Sequence, residues 1–109
     1  MAVITNGLDK IIDIVQKFIQ VSENSGVTIE RAIIFGSYVR GDYNEWSDID
    51  IAVVSPDFTG IPFYDRQILV PFILKVDTRI ELHPFRSDEF LTDNFFINEI
   101  VKNGLEIAI

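Results

Sequence analysis

The chain has 109 residues, 48% of them hydrophobic and 24% charged, with 17 Asp and Glu against 9 Lys and Arg and a formal net charge of −8. That length predicts a single domain over residues 1–109, and the acidity argues against a broad basic face gripping duplex nucleic acid. With no cysteine and one histidine, His83, the composition excludes disulfides, thiolate metal sites, Cys nucleophiles and multi-His zinc sites, leaving carboxylate chemistry in plenty.

The opening MAVITNGLDK lacks a basic stretch followed by an apolar core, so no signal peptide is expected. No apolar run reaches the ~20 residues of a membrane helix, and a cytoplasmic location fits. Leu8, Ile11, Ile12, Val15, Phe18 and Ile19 recur at helical spacing, predicting an amphipathic helix over Leu8–Val21. Ser22–Gly26 reads as its stop and turn. Ala32–Phe35, ended by Gly36, fits a buried strand, and Asp48–Val54 a second one. Ser55–Pro62 is a loop. Phe63–Val76 looks helical, with Pro71 either kinking it or marking its true start. Thr78–His83 alternates Ile80 and Leu82 against Arg79, Glu81 and His83, a third strand. Ser87-Asp-Glu starts a further helical region, broken around Thr92–Asn94, that stops at Asn103-Gly104 with Gly as the residue after the cap. Leu105–Ile109 closes the chain as a fourth strand. The order predicts an α/β (α+β) fold: a small mixed sheet of about four strands with helices packed on it.

The chemistry concentrates in Gly36-Ser37, ten residues, then Asp48-Ile49-Asp50. A Gly-Ser turn after a buried strand presents backbone N–H groups and a hydroxyl to a phosphate, because Gly lets a ligand approach closely. A helical turn from Tyr38 would favour the same anion. Asp48 and Asp50, two apart on a strand, leave the same face with Cα atoms ~7 Å apart. Two such charges ~5 Å apart repel by roughly 3 kcal/mol at an effective dielectric of ~20, so they need a compensator such as magnesium. Glu81 offers a third carboxylate if its strand lies beside them, and three carboxylates suit two ions in an in-line phosphoryl displacement. His83 shares the face of Glu81 and reads more readily as a structural histidine before Pro84 than as an aid to metal or phosphate. Arg40 is either a surface arginine or a bridge to phosphates. Tyr43 and Trp46 either stack on a base or pack their loop, with packing favoured.

The segment GSYVRGDYNEWSDIDIAV resembles the signature of the nucleotidyltransferase superfamily that includes DNA polymerase beta, hG[GS] followed by [DE]h[DE]. It looks most like the minimal nucleotidyltransferases (MNT) of prokaryotes, and the likeness extends from the first helix through RIELHPF to NEIVKNGLEIAI. The resemblance implies Asp48 and Asp50 as metal ligands and catalytic residues. Gly36 and Ser37 would be contacts to the triphosphate, with Arg40 and Ser47 as further matches on the nucleotide side. Glu81 takes the third-carboxylate position, where Asp is common; Asp77, close by, is the alternative.

The implied reaction transfers a nucleoside monophosphate, AMP from ATP, to a hydroxyl, with two Mg2+ ions (or Mn2+ in their place). MNT proteins are commonly paired with a helical HEPN-family toxin, which they adenylylate on tyrosine or hold in a complex. The implied role is therefore antitoxin, with a catalytically idle binding module as the alternative. A nucleotide-sugar transferase using Asp-x-Asp is disfavoured by the length. With no second helical region before Ile109, a partner chain is expected to complete the site, and Phe63, Tyr64, Phe90, Phe95 and Phe96 are candidate contacts. A homo-oligomer is compatible with the sequence; a membrane role is not expected.

Overall fold

The computed structural model describes residues 7–109; the N-terminal reading against a signal peptide falls largely on residues 1–6, outside the described residues. Chain order is α1 (Gly7–Asn24), β1 (Arg31–Phe35), α2 (Ser37–Arg40), β2 (Ile49–Val54), α3 (Pro62–Val76), β3 (Ile80–Phe85), a 3-10 turn (Glu89–Leu91), α4 (Phe95–Asn103) and β4 (Leu105–Ile107). The sheet runs β3-β2-β1-β4. β1 is antiparallel to β2 and β4, while β2 and β3 are parallel and joined through α3. The fold is α+β, as the order of elements predicts.

The period-2 pattern of β1 and β2 feeds two separate apolar clusters. Ala32, Ile34, Ile49, Ile51 and Val53 pack with α1, α2 and Leu69 of α3 on one face. Ile33, Ala52 and Val54 meet Phe90, Ile97 and Ile100 on the other. The first face is covered well; the second is covered by the 3-10 turn and α4, and Asp50 belongs to it by alternation. Among the described residues no helix is long and apolar enough to cross a membrane.

Several boundaries differ from expectation for local reasons. α1 passes through Ser22, whose buried hydroxyl donates to Phe18 C=O at 2.8 Å and so does not compete for the helix end. The turn falls instead at Gly26, with φ 98°. Pro62 occupies the first turn of α3, and the helix continues through Pro71 to Val76, so Pro71 does not mark the start. Its missing N–H lies on the exposed side, where water can satisfy the freed Gln67 carbonyl. β3 begins two residues later than predicted, because Asp77 captures Arg79 N–H and holds Thr78-Arg79 in a turn. Asn94 starts α4 by accepting from Phe96 and Ile97 N–H. Gly104 is extended (φ −78°, ψ 168°), not left-handed; it is needed because a Cβ there would strike Ile100 C=O and Ile33. β4 stops at Ile107.

The outer edge of β3 is partly engaged. Ile49 N–H donates to Arg79 C=O and Ser55 N–H to Phe85 C=O, so alternate residues, Ile80, Leu82 and Pro84, face outward. There Ile80 N–H is bound to Asp77 C=O, Leu82 C=O accepts from Arg66 Nε at 3.0 Å, and Pro84 has no N–H.

Candidate active site

Parallel pairing sets Asp50 directly opposite Glu81 and Ala52 opposite His83. Because the side-chain period is two, Asp50, Glu81 and His83 leave the same face, the one that carries α4 further along. Ligand atoms of Asp50, Glu81 and His83 lie within 4.8 Å of one another. His83 Nε2 is 3.2 Å from Asp50 Oδ1, and its ring is held edge-on by Phe35 at 4.8 Å. His83 thus belongs to the cluster, although sequence reasoning favoured a structural role. The signal was its position two residues after Glu81 on an alternating strand.

Asp48 lies just ahead of β2 and is exposed, not within the strand as predicted. Its charge nevertheless bears on Glu81. Burial, then the neighbouring Asp50 charge, raise the Glu81 carboxyl above its ordinary range; His83 opposes this and Asp48 adds to it. Among the described residues no lysine or arginine forms an ion pair with Asp48, Asp50 or Glu81. Two carboxylates and an imidazole converge here, with Asp48 exposed nearby and no lysine or arginine paired to them, a donor set that fits a hard divalent cation. Asp77 is differently placed: Arg79 grips it through Nε at 3.1 Å and a terminal nitrogen at 2.8 Å, which lowers its carboxyl. It is not among the converging side chains.

On the other flank of Asp50 stands Gly36, with φ 79° and ψ −149°, a region open essentially to glycine. A Cβ there would collide with Asp50 Oδ2. Ser37 begins α2, one residue before the predicted Tyr38, and its hydroxyl makes no hydrogen bond to the described residues. Arg40 is exposed, 3.4 Å from Asp42, and lines a cleft together with Gly36 and Asp50. Ser47 Oγ accepts from Asn44 N–H at 2.9 Å and so ties the turn that precedes Asp48. Within that loop Tyr43 packs as favoured, stacked on Tyr38 at 4.6 Å and accepting from Gly7 N–H. Trp46 does not: it is 83% exposed at the tip of the turn.

The family model described as "Nucleotidyltransferase domain" matches residues 8–107. The chain belongs to the nucleotidyltransferase domain family. Among curated relatives of this nucleotidyltransferase is "Putative protein adenylyltransferase MJ0141" of Methanocaldococcus jannaschii, 27% identical over 90% of this chain and 99% of the relative. A second protein of that organism, "Putative protein adenylyltransferase MJ0604", is 39% identical over 49% of this chain and 54% of the relative. Of solved structures, a putative nucleotidyltransferase from Sulfolobus solfataricus aligns with a TM-score of 0.64 at 21% identity, covering 89% of this chain and 78% of that one. A toxin-antitoxin structure with AMP-PNP aligns at 0.60 and 20%, covering 89% and 72%. At these identities the structural likeness speaks for the fold, which this nucleotidyltransferase shares.

Proposed function

We propose that this chain transfers AMP from ATP to a hydroxyl of a partner protein, and that it serves as antitoxin to a helical HEPN-type toxin. The observation that carries the reading is the convergence of Asp50 and Glu81 across the parallel β2–β3 pair, beside a glycine whose Cβ would meet the Asp50 carboxylate. The names of the relatives, protein adenylyltransferases, and of a structural neighbour, a toxin-antitoxin with AMP-PNP, support the substrate and the biological role.

Asp48, Asp50 and Glu81 are the residues to hold Mg2+, with Mn2+ able to replace it, and His83 fixes the Asp50 carboxylate. Two such ions, when bound, supply charge neutralisation for the triphosphate and acidify the attacking hydroxyl. Gly36 leaves room for phosphate oxygens next to Asp50, and the unengaged Ser37 hydroxyl and the Arg40 guanidinium contact them. The acceptor oxygen bonds to the α-phosphorus as the bond to pyrophosphate breaks. Glu81 receives the proton released by the acceptor. Exposed apolar residues support a partner surface: Phe63 at 64%, Leu74 at 67% and Phe95 at 81%. Phe90, also a candidate contact from the sequence, is instead a core residue.

The test is transfer of α-labelled ATP to the protein encoded beside this one, with Mg2+ or Mn2+ present. Labelling of the partner that disappears in Asp50→Asn is expected. No labelling, with neutralisation intact in the Asp48→Asn/Asp50→Asn double variant, would replace the reading with an idle binding module.

A further inference from the structure

A cleft of about 620 Å³ opens between the end of β1, α2 and α4, and it shares Gly36 and Asp50 with the candidate active site. Its far wall comes from one stripe of α4, where Phe96, Glu99, Ile100 and Asn103 follow at spacings of three and four residues. Arg40 is the single cation of the lining, set against the carboxylates of Asp50 and Glu99. Such a lining gives a polyphosphate little beyond the mouth at Gly36 and Arg40, while Phe35, Phe96 and Ile100 suit a flat, uncharged ring.

Two details give that ring an orientation. Phe96 is 45% exposed on the cleft wall, its ring held by Phe35 at 5.8 Å, His83 at 6.1 Å and Phe85 at 6.3 Å, so a fixed aromatic surface is offered to a ring in the cleft. Glu99 Oε2 accepts from Asn103 Nδ2 at 2.8 Å, so the carboxylate is aimed, and Oε1 has no partner among the described residues. An ionised carboxylate only accepts hydrogen bonds, so it favours a ring that carries an amino donor.

We propose that the cleft receives the base of the nucleotide, an amino-bearing purine stacked on Phe96, and that Glu99 is a specificity-determining residue that reads the exocyclic amino group. This rests on the nucleotidyl-transfer reading, with the phosphates facing Asp50. The experiment is equilibrium binding, with Mg2+ present, of ATP and of purine riboside 5′-triphosphate, which lacks the 6-amino group. Wild type, Glu99→Ala and Phe96→Leu are compared. Wild type is expected to prefer ATP by about tenfold, the scale of one hydrogen bond to a charged group at an exposed site. Glu99→Ala binds both at the level of the analogue. Phe96→Leu, which keeps apolar packing against Phe35, weakens both by about fivefold or more and leaves the ratio intact. Should Phe96→Leu fail to fold, the ratio in Glu99→Ala decides alone. Equal binding of the two nucleotides by wild type, or a preference that survives Glu99→Ala, overturns the proposal while nucleotide transfer stands. Unchanged ATP affinity in Phe96→Leu with lost transfer gives the cleft to the acceptor and also overturns it. No ATP binding by wild type overturns the transfer reading together with this one.

Discussion

Gly36 and Asp50 stand so close that a side chain at position 36 would overlap the carboxylate opposite. The backbone there is also in a region that L-residues avoid. Gly36→Ala therefore suffers twice. It should lose about 1–3 kcal/mol of stability in urea melts, and AMP transfer should fall by about 100-fold or more because Asp50 must move. A variant with near-normal transfer would contradict the close approach.

Glu81 supplies a prediction with opposite signs for stability and binding. Its folded pKa lies above the unfolded value, so the folded state holds the proton more tightly. Stability is therefore lost as pH rises through the carboxylate range, and the loss persists at neutral pH. Glu81→Gln should melt higher than wild type at pH 7 without added metal, and the difference should vanish in acid. Mg2+ or Mn2+ should raise the melting temperature of wild type by linkage and do so far less in Glu81→Gln. A metal shift of equal size in both proteins would remove Glu81 from the ligand set.

Asp77 should behave in the reverse manner. Arg79 lowers its carboxyl, so the contribution is present above the unfolded pKa and disappears as pH falls through the folded one. Asp77→Asn should cost about 1 kcal/mol at pH 7, a figure reduced because Arg79 is 37% exposed. The deficit should close in acid, as followed by thermal melts across pH. The same substitution loosens the turn that starts β3.

The single tryptophan makes the loop before Asp48 observable. At 83% exposure Trp46 should emit at the long wavelengths of a solvated indole and be readily quenched by acrylamide. Trp46→Ala should change stability by less than about 0.5 kcal/mol. A short-wavelength, protected emission would mean that the loop packs.

Much of this was legible in the residues. Strand alternation put Glu81 and His83 on one face of their strand and made Glu81 a partner for Asp50 if the two strands lay side by side, and Asn103-Gly104 marked the end of α4. Local patterning could not supply partners across elements. Whether Glu81 or Asp77 stands beside Asp50 depends on the register of a parallel pair joined by a fifteen-residue helix. The weight of His83 depends on a contact 33 residues away. Gly36 was legible as the glycine of a turn after a buried strand, but not as the neighbour of Asp50. Phe90 and Phe95, alike in type and close in sequence, were separated only by tertiary packing into core and surface. Pro71 misled because proline tolerance depends on which side of a helix meets water.

The partly engaged outer edge of β3 carries a last consequence. Glu81 sits on the outermost strand, where an incoming strand from another molecule would ordinarily find a ladder to extend. With Ile80 N–H and Leu82 C=O already engaged and Pro84 unable to donate, that ladder is interrupted along its length. Molecules crowded together at high concentration thus find a poor template on the strand that carries Glu81. This edge of the sheet shields the face that gathers Asp50, Glu81 and His83 from strand-to-strand association.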